Sequence, residues 1–150
     1  MGLFSFIKNA GAKVFGIGKT DAEEAEAAAR KLEDTIRSLQ LEVEDLSVSI
    51  NDDAATISGR AQDQATKEKV VLVVGNSDGI ATVDDQMTVD NVEPEAQFHT
   101  VEGGDSLSKI AKKYYGDAMK YSVIFEANKP MLTDPDKIYP GQVLRIPVLD

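Results

Sequence analysis

Apolar residues three and four apart, Ala25, Ala28, Ala29, Leu32, Ile36 and Leu39, form one stripe on a predicted helix. Thr20-Asp21-Ala22-Glu23 precedes the stripe with the capping-box pattern, in which Thr20 and Glu23 satisfy free backbone amides reciprocally. The period then changes to two. Leu46, Val48 and Ile50 alternate with polar residues, Asn51 to Ala54 supplies a turn, and Ala55 and Ile57 alternate again before Gly59, which predicts a hairpin. Asp63 is placed to cap a second helix running through Val74, with Ala65, Val70, Val71 and Val74 facing inward and Gly75 as its stop. Val83, Met87 and Val89 alternate in a last strand. The order of this middle unit is helix, strand, strand, helix, strand.

Ahead of it, Leu3, Phe4, Ile7, Ala10, Val14 and Phe15 share one helical face, with Lys8, Asn9 and Lys13 elsewhere. This spacing predicts a short amphipathic helix, weakened by glycine, that packs on the middle unit. Behind it, residues 91–97 contain Pro94 and two glutamates without an apolar face and read as a linker. Phe98-His99-Thr100-Val101 then predicts a strand. Asp105 or Ser106 caps a helix carrying Leu107, Ile110, Ala111 and Tyr114, which Gly116 ends. A further helix presents Tyr121, Ile124 and Phe125 and stops before Pro130; Pro140-Gly141 suits a type II turn feeding the strand Val143 to Ile146. The class is α+β: a head over 1–19, one small domain over 20–90, a linker over 91–97 and a second small domain over 98–148.

Charge follows the same division. The 150 residues carry a net charge of −10. Residues 1–20 hold Lys8, Lys13 and Lys19 and no acid, residues 21–97 hold 19 acids and 6 bases, and residues 98–150 hold 7 of each. The basic head is suited to the acidic middle or to an anionic surface. The acidity argues against nucleic acid as a partner, and no apolar run approaches the roughly 20 residues of a membrane span. Lys8, Gly11 and Lys13 interrupt the head before it makes the apolar stretch of about 7–15 residues that a secretory signal needs. Phe6 stands where N-myristoylation requires Ser or Thr. The expected location is the cytoplasm.

Catalytic constellations do not assemble. Without cysteine there are no thiolate nucleophiles, disulfides or thiolate zinc sites, and His99 is the one histidine, expected to be structural and partly exposed in a strand. Asp52-Asp53 and Asp84-Asp85 are adjacent pairs whose side chains point to opposite faces of extended chain, so they read as turn and solvated-face residues. Glu23, Glu24 and Glu26 suit the start of a helix. The chain does not read as an enzyme.

The middle unit, with Ala54-Ala55-Thr56-Ile57-Ser58-Gly59 before its second helix and Gly79-Ile80-Ala81-Thr82-Val83 after it, resembles a BON domain. It departs from the family's frequent aspartate-glycine turn at Asp52-Asp53-Ala54, and has Ile80 where a valine is common. Gly104-Asp105-Ser106-Leu107-Ser108-Lys109-Ile110-Ala111, Glu126-Ala127-Asn128 and Ile138-Tyr139-Pro140-Gly141-Gln142-Val143-Leu144-Arg145-Ile146-Pro147 resemble a LysM domain throughout. From Met1-Gly2-Leu3-Phe4 to Ile146-Pro147 the chain resembles the small cytoplasmic potassium-binding BON-LysM proteins of proteobacteria. That resemblance implies a monomer that binds K+ selectively, changes conformation on binding and acts as a sensor or buffer in osmotic and ionic stress. LysM kinship also implies an alternative, an envelope module that binds N-acetylglucosamine polymers of peptidoglycan between the loops holding Gly104, Asp105, Ser106, Leu107, Asn128 and Ile138, with BON touching lipid or protein. A LysM surface for a protein partner is a further expectation.

Potassium is large and weakly hydrated, and selective sites replace its water with several backbone carbonyls rather than clustered carboxylates, which also attract calcium and magnesium. Helix C-termini supply unpaired carbonyls and the negative end of the dipole. The expected ligands are therefore the carbonyls of Ile7 and Ala10, at the end of the head helix, and of Gly75, Ser77 and Ile80, in the turn after the second BON helix. The competing reading of Gly75 to Gly79 is a simple helix cap and turn.

Overall fold

The structure, a computed structural model, describes residues 2–5, 22–51, 53–77, 80–94, 96–129 and 131–148. The first helix, α1 (Ala22–Ser38), buries Ala25, Ala28, Ala29, Leu32 and Ile36, the stripe that its spacing predicts. Thr20, half of the expected capping box, lies outside the described residues. Strands β2 (Val43–Asn51) and β3 (Ala54–Asp63) form the antiparallel hairpin, with Asn51 opposite Ala54. Helix α2 (Gln64–Gly75) begins at Asp63, whose carboxylate accepts from the Thr66 amide at 2.8 Å. The Thr66 side chain, and after it this amide bond, hold the Asp63 carboxyl below the usual aspartate range.

Three expectations change at the sheet. Gly2–Ser5 is not helical but forms strand β1, antiparallel to β4 (Thr82–Asp85), with Phe4 opposite Val83. The edge of β4 offers backbone partners to these four residues, and Phe4 packs on the core from there, a gain that a glycine-weakened helix does not match. The expected last strand is two: β4 and β5 (Thr88–Asn91) both run parallel to β3 in one continuous register, Ala54 opposite Thr82 and Arg60 opposite Thr88. Between them the Asp85 carboxylate accepts from the Met87 amide at 2.9 Å and takes that group out of the ladder. Asp85 is thus not on a solvated face: it is 1% exposed and pairs with Lys67 Nζ at 3.3 Å. Desolvation still outweighs these partners and raises its carboxyl above the usual range. The sheet order is β1-β4-β3-β2, with β5 beside β3.

Leu32, Ile36, Val48, Ala55, Ile57, Val70, Val71, Val74, Ile80 and Val83 make one core between the two helices and this sheet. A second core gathers Val101, Leu107, Ile110, Ala111, Ile124, Leu132, Leu144 and Ile146. It lies among β6 (Gln97–Thr100), α3 (Leu107–Tyr115), α4 (Tyr121–Ala127) and β7 (Val143–Ile146), with β6 and β7 antiparallel. Ser106, rather than Asp105, caps α3, and Gly116 ends it at φ 75°. The Gln142 amide donates to the Tyr139 carbonyl with Gly141 at φ 91°, closing the turn that Pro140-Gly141 predicts.

Gly59 does not end its strand. It sits inside β3 at φ 137°, opposite a bulge between Glu44 and Ser47, where an added Cβ would lie 2.6 Å from Val43 Cγ1 and 2.8 Å from the Glu44 carbonyl. Gly59→Ala should therefore lower stability by about 1–3 kcal/mol, read as a reduced denaturation midpoint with an unchanged slope.

Candidate functional site

Helix α2 carries Val70-Val71-Leu72-Val73-Val74 without a polar interruption, and Val70, Val71, Leu72 and Val74 are all buried. A helix apolar on every side needs cover on every side. One side packs in the BON core, and the opposite side meets β7 of the LysM unit. Glu68 and Gln64, on α2 but buried, serve this second contact. The Glu68 carboxylate accepts from Arg145 Nε at 2.6 Å, Gln64 Nε2 at 3.2 Å and the Ala96 amide at 2.9 Å.

At the C-terminal end of α2 the Asn76 amide donates to the Leu72 carbonyl at 2.9 Å and the Ser77 amide to the Val74 carbonyl at 3.2 Å. The Ile80 amide returns to the Ser77 carbonyl at 3.2 Å and closes the turn. Gly75, Ser77 and Ile80, three of the five expected ligands, are buried within this one turn. Ile7 and Ala10 lie outside the described residues. The Ser77 hydroxyl donates to the Val73 carbonyl at 2.9 Å, and the Ser77 carbonyl keeps a second lone pair beside the Ile80 bond. Among the described residues, no three His, Asp or Glu side chains gather into a metal-binding cluster. The donor set of the turn, carbonyls at the negative end of a helix, suits a large monovalent cation. A cleft of about 530 Å³ opens beside it, lined by Val73, Asn76 and Ser77 on one side and Met131, Leu132 and Tyr139 on the other.

Asn76 itself turns away to the LysM unit. Its Nδ2 donates to the Val143 carbonyl at 2.9 Å and its Oδ1 accepts from the Val143 amide at 2.8 Å. Asn128 treats the same strand in the same way: Nδ2 donates to the Arg145 carbonyl at 2.9 Å and Oδ1 accepts from the Arg145 amide at 2.8 Å. The rings of Phe4 on β1 and Phe98 on β6 add a third contact across the joint, 5.1 Å between centroids. A second unit of about 50 residues without disulfides is close to the lower limit for independent folding and so is expected to dock on the middle unit; sequence reasoning did not find the residues of the joint, although the unbroken Val70–Val74 run already signals a helix covered on both sides.

The six residues of the sugar-binding alternative serve the LysM fold. Leu107 is buried in the core and Ile138 packs against it. Asn128 is committed to β7 and to the Ile124 carbonyl, Ser106 caps α3, and the Gly104 carbonyl accepts from Lys109 Nζ at 3.0 Å. Asp105 accepts from the Glu102 amide at 2.9 Å and meets His99 Nε2 at 3.0 Å. His99 is buried rather than partly exposed, with Nδ1 3.0 Å from the Tyr114 hydroxyl, so its role is structural.

The Glu102 amide, and after it His99, hold the Asp105 carboxyl below the usual aspartate range. A depressed folded-state value stabilises the fold above the unfolded aspartate value and loses that effect as pH falls through the folded one. Asp105→Asn should lower the melting temperature of the protein at neutral pH, and the gap to the parent should close in melts taken at progressively more acid pH.

Among the described residues no helix is long and apolar enough to cross a membrane. Residues 20–91 match the BON domain family and residues 99–147 the LysM domain family. The potassium binding protein Kbp of Escherichia coli O6:H1 (strain CFT073) is 45% identical over 148 residues, covering 98% of this chain and 99% of that protein. An uncharacterised protein of Deinococcus radiodurans is 57% identical over 49 residues, one third of this chain and 19% of its own length. YqbP, an uncharacterised protein of Bacillus subtilis, is 38% identical over 58 residues, which cover 33% of this chain and 26% of its own length. With a BON domain, a LysM domain and this near full-length likeness, the chain belongs to the family of the E. coli protein Kbp.

Proposed function

We propose that the protein binds one potassium ion at the C-terminal end of α2 and serves the cell as a cytoplasmic potassium sensor or buffer. The observation that carries this reading is the buried turn in which Gly75, Ser77 and Ile80 place their backbone at the negative end of a helix. The printed name of the E. coli relative supports the choice of ion. The acidic middle segment raises the local cation concentration around the turn.

Ile7 and Ala10 complete the ligand set in this proposal. Ser5 on β1 stands opposite Thr82, two residues beyond Ile80. Ile7 follows Ser5 by two residues in the chain. Ion binding would then join the head to the α2 turn, and this closure is the conformational change expected of a sensor.

The reading is tested by calorimetric titration and thermal melts of ion-stripped protein with potassium, sodium, calcium and magnesium chlorides at matched ionic strength, because screening alone stabilises a chain of this charge. A saturable potassium response is expected, with stabilisation of about 2.7 kcal/mol once free ion reaches a hundredfold excess over Kd. Equal responses to sodium and potassium would overturn it. Ser77→Ala should keep potassium binding, since the proposed ligand is the Ser77 carbonyl and the substitution retains it, whereas Ser77→Pro deletes the amide that donates to the Val74 carbonyl and should abolish it.

A further inference from the structure

Asn76 lies between two of the proposed carbonyl donors, Gly75 and Ser77, yet its side chain belongs to the other domain. Its carboxamide both donates to and accepts from the backbone of Val143, the first residue of β7. The backbone of Asn76 is equally constrained, as the cap of α2 bonded to the Leu72 carbonyl. Any change in the backbone of the Gly75–Ser77 turn therefore moves the carboxamide relative to β7, and any shift of β7 pulls on the turn. Val143 is 4% exposed, so its amide and carbonyl have little recourse to water if the carboxamide leaves.

We propose that Asn76 is the positioning residue that couples the ion turn to the LysM domain: a potassium ion and a docked β7 stabilise the same backbone conformation of residues 75–77. The proposal rests on the reading of that turn as the ion site. Linkage makes the coupling reciprocal, so potassium tightens the grip on β7 by the same factor by which the grip tightens potassium. The Glu68–Arg145 pair, two turns earlier on α2, keeps the domains aligned without touching the ion turn.

The two edge amides of β7 give a direct readout. The Val143 amide is held by Asn76 of the BON domain, while the Arg145 amide is held by Asn128 within the LysM domain and serves as an internal reference. In the full chain, amide exchange measured by NMR should slow at Val143 on adding potassium chloride, relative to the same concentration of sodium chloride, and slow less at Arg145. Asn76→Ala should raise the potassium Kd by a factor within the range of about 5 to 150 found for measured couplings and erase the potassium-dependent difference at Val143. A purely structural role would leave Val143 exchange in the parent chain the same with and without potassium, and Asn76→Ala would speed it without changing the potassium Kd. The exchange comparison in the parent chain needs no variant, so it decides the matter even if Asn76→Ala fails to fold. Unchanged Val143 exchange in a parent chain that binds potassium, or an unchanged Kd in folded Asn76→Ala, overturns the role of Asn76 alone. A parent chain with no saturable potassium binding overturns the ion site and this coupling together.

Discussion

The outer edge of β7 has to be satisfied, and the arrangement of the whole molecule follows from how that is done. A two-stranded sheet uses every other backbone group of each strand in its ladder and leaves the alternate ones facing outward. On β7 the outward groups belong to Val143 and Arg145, and a buried amide or carbonyl without a partner costs about 1–3 kcal/mol. Two asparagine carboxamides, each a donor and an acceptor, stand in for the missing strand. Asn128 comes from within the LysM unit and Asn76 from the BON unit, so the LysM fold completes its own sheet edge only when α2 lies beside it.

This places unusual demands on α2. Its apolar residues fill the BON core on one side, while Gln64, Glu68 and Asn76 carry the polar contacts of the other. Glu68 is compensated three times over, by Arg145, Gln64 and the Ala96 amide. These partners offset part of the cost of taking the carboxylate out of water. Phe4 against Phe98 brings the head strand into the same joint. The turn after α2 therefore sits between the BON core and the LysM sheet, with Asn76 bonded to β7.

Much of the fold was legible from local patterns. The α1 stripe, the Asp63 cap, the hairpin around residues 51–54, the Gly116 stop and the Pro140-Gly141 turn each depend on residues close in sequence, and each stands where its pattern predicts. The misreadings share one cause. Gly2–Ser5 has a helical spacing but is drawn into β1 by an edge of β4 more than seventy residues away. Asp85 looks like half of a solvated pair but turns inward to Lys67 and Met87, and Gly59 looks like a strand end but accommodates the close approach of Val43 and Glu44. In each case a partner distant in sequence outweighs the local preference.

The sequence by itself determined the α+β class, the order of the two domains and the turn that ends α2, because helix periodicity and capping chemistry are local properties. Only the tertiary structure decided what the polar residues of α2 are for. Nothing near Asn76 in the chain distinguishes an ordinary helix cap from a group that holds a strand 67 residues away. A carboxamide's role is set by which backbone groups lie unpaired within about 3 Å of it, and that is known only once the sheet edge it completes has been folded against it.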